Sequence, residues 1–186
     1  MSRRFSLEFF FMFALVVNLN ALGGYIDHQE KVDSLYARLK ESCLNAIKQN
    51  DKKNLDKNLF SYMDLAFYLA GNGMLDDAKS IYLKLVELYP ENYCIYTDIS
   101  FLNFSAAKEI LEALIKQNAK DKGAYFFLGR ILDEEGLKLK SEENLRKALS
   151  LYKAAIDQGS KEPKDYLDYQ DLITWFDEKG IEKEEL

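Results

Sequence analysis

Residues 59–90 read LFSYMDLAFYLAGNGMLDDAKSIYLKLVELYP. Apolar residues fall at Tyr62, Leu65, Ala66 and Leu69, and again at Ala78, Tyr82 and Leu85, each set at the spacing of a helix with one buried face. Gly71-Asn72-Gly73 divides the two sets, and glycines so placed turn the chain. The stretch is therefore an antiparallel helix hairpin. Pro90 closes it, because proline lacks the amide that a continuing helix would use. Ala66 and Ala78 stand where the helices cross, so the backbones can approach closely, and Tyr62 and Tyr82 fill the space on either side.

The pattern recurs. Moving Leu65 forward by 34 residues lands on Ile99, so Tyr96, Ile99 and Asn103 repeat the first helix. Ala107, Leu111 and Leu114 repeat the second, but only 29 residues after Ala78, Tyr82 and Leu85, which predicts a turn shortened around Asn103 to Ser105. Tyr125, Leu128, Gly129 and Leu132 open a third unit, whose second helix carries Ala148, Tyr152 and Ala155 at an offset of 41. The seven extra residues are expected in the turn between Glu135 and Ser141, since loop closure costs grow slowly with length. Beyond Pro163, Tyr166, Tyr169 and Ile173 form a final helix that would cap the exposed end of the stack.

With this period and these signature residues, 59–92 resembles a tetratricopeptide repeat at nearly every position, Pro90 included; the family usually has glycine where Ala66 stands. The string from Lys147 to Ala155, with Gly159, is also similar to a Sel1-like repeat. The resemblance implies an all-α fold, a right-handed α-α solenoid of about three hairpins (59–92, 93–121 and 122–162), followed by a capping helix and acidic tail over 163–186. Ahead of it, over 24–58, Val32, Leu35, Tyr36, Leu39, Cys43, Ala46 and Ile47 mark one apolar stripe of an N-terminal capping helix. The charged stretch Asp51 to Asn58 is expected to link that helix to the repeats.

Composition agrees with helices and excludes several functions. Two prolines and nine glycines in 186 residues, with 48% apolar content, suit one packed helical domain. A net charge of −6 with dispersed acidic residues offers no basic stripe for nucleic acid. His28 is the sole histidine, and Cys43 and Cys94 lie 51 residues apart, so the ligands of a zinc site are not available; no metal or cofactor is expected. The thiols read as small buried apolar residues. Asp76-Asp77, Asp133-Glu134 and Glu142-Glu143 lie near turns or helix starts, where carboxylates cap amides. Nucleophile-elbow, P-loop and dinucleotide-binding glycine patterns do not occur, and a non-catalytic protein is expected.

Arg3 and Arg4 precede the apolar run Phe9 to Val17, and Ala21-Leu22-Gly23 offers a small-residue cleavage site. Residues 1–23 therefore read as a signal peptide, with export to the periplasm or cell envelope. The run is shorter than the roughly 20 residues a spanning helix needs; an uncleaved anchor from Phe5 to Ile26, associating with a membrane, is the alternative.

In the family this chain resembles, the first helix of each unit lines a concave face. Carried across, that face comprises Phe60, Met63, Phe67 and Ala70, then Cys94, Thr97, Phe101 and Phe104, then Gly123, Phe126, Arg130 and Asp133. The candidate partner-binding residues are Phe60, Met63, Phe67, Thr97, Phe101, Phe126 and Arg130. A groove of this composition fits an amphipathic helix or extended peptide. Relatives that grip a terminal carboxylate use lysine and asparagine, where this chain has Met63, Asp64 and Phe67. Arg130 is a candidate anion contact, or else the partner of Asp133 or Glu134. The expected function is a protein- or peptide-binding scaffold or adaptor in the envelope. The alternative is a membrane-anchored structural subunit whose own chain fills the groove.

Overall fold

The structure is a computed structural model that describes residues 25–182, and side chains from residue 31 onward. The predicted signal segment at 1–23 lies outside the described residues, as do the last four positions. The chain divides into two compact units at Asn50 and Asp51. In the first unit α1 runs from Tyr25 to Gln49, with Cys43 and Ala46 buried and Leu35 half exposed on the predicted stripe.

The second unit holds seven helices: α2 (Lys52–Gly71), α3 (Leu75–Leu88), α4 (Tyr93–Ser100), α5 (Phe104–Gln117), α6 (Lys122–Glu134), α7 (Lys138–Asp157) and α8 (Pro163–Lys179). The described residues contain no strand, and the fold is all-α. Consecutive helices pair as hairpins α2/α3, α4/α5 and α6/α7, and α8 lies on α7. First helices also touch the next first helix, α2 to α4 to α6, while α3 touches α5. That connectivity is a stack of hairpins in two layers.

The interior is built as the spacing requires. Tyr62, Leu65, Ala66, Ala78, Tyr82 and Leu85 are all fully buried, so the α2/α3 crossing is the one the small alanines predict. In the third hairpin the equivalent crossing is tighter. A Cβ added to Gly129 would lie 2.5 Å from Leu145, so only glycine admits this approach of α6 and α7. The first and third hairpin turns share one geometry. Gly73 and Gly136 both adopt a positive φ (78° and 75°), and the next amide bonds back to Leu69 and Leu132 respectively.

Three local expectations are corrected. The charged stretch Asp51 to Asn58 is helical, not a linker: Asp51 caps α2 through the Asn54 amide, Leu55 is fully buried, and only Asn58 leaves helical geometry. The five-residue loss in the second unit shortens the helix itself, leaving α4 with 8 residues. The seven-residue gain in the third is not in the turn, which is only Glu135-Gly136-Leu137, but in α7, with 20 residues against 14 in α3. Seven residues are about two helical turns, so the apolar face stays within roughly 20° of phase and the insertion is absorbed as helix.

The cap is more aromatic than its predicted stripe. Leu172, Trp175 and Phe176 of α8 are buried against Phe126, Leu145, Leu149 and Tyr152, with Tyr169 and Ile173 packed at the edge, while Tyr166 is largely exposed. Gly180, at φ 64°, ends the helix, and Ile181 folds back to bond Phe176.

Candidate partner-binding face

On α2 the residues Phe60, Asp64 and Phe67 are spaced i, i+4 and i+7, so they share one stripe. Phe60 and Phe67 are 45% and 38% exposed, and Asp64 is exposed. Moving 34 residues on gives Cys94 and Asp98 of α4 and Phe101, which caps its C-terminus; Cys94 is exposed, Asp98 half-buried and Phe101 74% exposed. A further 29 residues reach Gly123, Phe127 and Arg130 of α6. Since α2 touches α4 and α4 touches α6, the three stripes lie side by side. They form rows across the first-helix layer: Phe67, Phe101 and Arg130 in one, Asp64, Asp98 and Phe127 in the next.

The acidic row is electrostatically unusual. Asp98 accepts a hydrogen bond from the phenol of Tyr82, on the preceding hairpin, at 2.6 Å. Burial pushes the Asp98 carboxyl up to about 6; the bond from Tyr82 pulls the other way, and the charge of Asp64 adds to the rise. Asp64 reaches solvent with its side chain, yet the protein around its carboxyl raises it as well. Among the described residues neither carboxylate has a cation within ion-pair distance. Such a pair can accept a hydrogen bond or an ion pair from outside.

The predicted site residues fall into two groups. Phe60, Phe67, Thr97, Phe101 and Arg130 lie at the surface, Thr97 donating to the Tyr93 carbonyl at 3.0 Å. Met63 and Phe126, by contrast, are only 6% and 9% exposed. Each precedes the stripe by one residue or more of helical rotation and turns inward; Phe126 meets the edge of Tyr152 in the C-terminal core. Arg130 does not pair with Asp133, whose carboxylate receives Lys179 at 3.3 Å and the Trp175 indole N–H at 3.3 Å. The thiols are free and differ: Cys43 is buried, which pushes it up to about 12, and Cys94 is exposed, unlike the buried thiol expected. Asp98 and Phe127 are absent from the predicted contacts, and Asp64 enters there only as a departure from the carboxylate-gripping relatives. Their signal is the i+4 step from Phe60, Cys94 and Gly123.

A second concavity, of about 360 Å³, lies where α3 ends and α4 and α6 begin, lined among others by Pro90, Glu91, Tyr93, Tyr96, Asp121 and Lys122. Its polar groups are committed to the fold. Tyr96 donates to Asp121 at 2.9 Å, Asp121 caps α6 through the Ala124 amide, and Lys122 reaches Glu91 at 3.3 Å and buried Asp165 at 2.8 Å. Beside it Tyr152 donates to Asp168 at 2.8 Å, and Lys164 pairs with the same carboxylate. This polar network joins hairpins.

No family model matches the chain, and no curated protein sequence does. Among solved structures it is similar to one described as "MamA RS-1 ArsTM double mutant", at 17% identity and a TM-score of 0.31, over 78% of this chain and 96% of that one.

Proposed function

We propose that this chain is a non-catalytic scaffold of the tetratricopeptide type that docks a protein or peptide segment across its first-helix layer. The observation that supports the reading is the row of Phe67 on α2 and Phe101 at the C-terminal cap of α4, large apolar side chains held exposed at equivalent repeat positions. Leaving such rings in water forgoes roughly 1.5 to 3 kcal/mol each, and a partner's apolar side chains would recover it. Two such contacts supply roughly 3 to 6 kcal/mol before association costs, so further contacts along the face are needed for micromolar affinity. The leader-like sequence at Arg3, Arg4 and Phe9 to Val17 supports placing that scaffold in the envelope or periplasm.

The test is capture of partners by the full chain and by a Phe67→Ala, Phe101→Ala variant. Loss of captured partners with helical circular dichroism unchanged is the expected result. Equal capture by both proteins rules the face out.

A further inference from the structure

The open face carries two rows of different chemistry, and the second says what kind of partner fits the first. On α2 and at the end of α4 the aromatic residue follows the acidic one by three positions, Asp64 before Phe67 and Asp98 before Phe101, the latter a C-cap that keeps right-handed helical backbone geometry. Residues so spaced on a helix are neighbours, their Cβ atoms about 5–6 Å apart. An aromatic row therefore runs beside an acidic row, both crossing from α2 to α4, which touch.

The carboxylates are not there to hold the fold by ion pairing. The half-buried and buried carboxylates toward the C-terminal end meet a cation or a cap: Asp165 meets Lys122, Asp168 meets Lys164, Asp133 meets Lys179, and Asp121 caps α6. Among the described residues neither exposed Asp64 nor half-buried Asp98 meets a cation, and Asp98 accepts from the Tyr82 hydroxyl. A carboxylate held partly out of water without a counter-charge is costly to the folded state, and a cation brought by a ligand offsets that cost.

We infer that the partner is a cationic amphipathic segment, laying apolar side chains on Phe67 and Phe101 and placing lysine or arginine between Asp64 and Asp98. This rests on the scaffold reading above and narrows it. The same rows reject an acidic segment, which would set like charges against the carboxylates. The ligand chemistry is opposite to that of a groove that grips a terminal carboxylate.

The test uses the full chain and two fluorescein-labelled synthetic helical peptides of about 18 residues, identical in their leucines, with lysine at the polar positions of one and glutamate in the other. Anisotropy at low ionic strength should show the lysine peptide binding at least about tenfold tighter. Asp64→Asn with Asp98→Asn should bring the two affinities within about threefold of each other, by weakening the lysine peptide. Because Asp98 also receives Tyr82, the exposed Asp64→Lys change is a second variant, and it should cut the preference on its own. Equal binding of the two peptides, no binding of either, or a preference untouched by these variants overturns the inference. Phe67→Ala with Phe101→Ala separates the two failures. If that variant weakens both peptides while the charge variants change nothing, the scaffold reading stands without its cationic partner; if it weakens neither, both fall.

Discussion

The phenol of Tyr82 donates to Asp98 sixteen residues later, and the phenol of Tyr152 donates to Asp168 across the same interval. Each bond ties the second helix of one hairpin to the helix that follows it, α4 or the capping α8, so a tyrosine that looks like core filling is also a joint between units. Tyr82→Phe removes the donor from a half-buried carboxylate and is expected to cost about 1–3 kcal/mol in equilibrium denaturation. It should also move the Asp98 carboxyl further up, since the Tyr82 bond is what restrains it; carboxyl-carbon NMR titration of the two proteins measures that shift.

The pH dependence of stability follows from Asp98. Its folded value of about 6 lies above the ordinary 3.8, so between these values the folded state holds the proton that the unfolded chain has released. The contribution is fully present below the ordinary value and is lost as pH rises through about 6, on the order of 3 kcal/mol at most from this group. Asp64 adds in the same direction. In Asp98→Asn, which keeps an oxygen acceptor for Tyr82, the acid-side advantage should flatten and the melting temperature at neutral pH should rise. Thermal melts of both proteins across pH 4 to 8 decide it; a variant with the parent's slope refutes the assignment.

Gly129 gives a packing test. A Cβ there meets Leu145 at 2.5 Å and the Leu145 backbone nitrogen at 3.3 Å, so Gly129→Ala must push α6 from α7. The ordinary gain in helix propensity from glycine to alanine, about 1 kcal/mol, is outweighed here, and a net loss of roughly 1–3 kcal/mol is expected by urea denaturation.

Trp175, the one tryptophan of the chain, reports on the cap. It is 8% exposed and meets Phe176 edge to face at 4.9 Å between ring centres. Phe176→Ala opens a cavity under it and should cost about 3–5 kcal/mol, with a red shift of the Trp175 emission before global unfolding. Unchanged emission and midpoint would show that α8 is held by other contacts.

Much of the architecture was legible because each hairpin advertises itself locally. Apolar residues at Tyr62, Leu65 and Ala66, the turn at Gly73 and the alanines at the crossing need no knowledge of distant partners. The seven-residue insertion was misplaced because an offset between anchors counts residues without saying what conformation they take, and Lys138 to Lys140 are as exposed as any loop. Asp51 to Asn58 misled for the same reason: polar composition hid the buried Leu55. At the face, Phe67 and Phe101 could be named from the resemblance. Met63 and Phe126 could not be placed, because their burial depends on how the following helix packs. Asp98 stayed silent because its partner, Tyr82, sits on a different hairpin.

The added turns of α7 have a geometric consequence. From the turn residue Met74 to Tyr82 is eight positions, whereas from Leu137 to Tyr152 is fifteen, so the joint to the following helix is displaced along the axis by about 10 Å. The stack therefore climbs a stair at its last tread. The opening turns of α7 overhang the place where α8 docks, which is why Leu139 stands 85% exposed on that ledge while Leu145 and Leu149, one storey along, are covered.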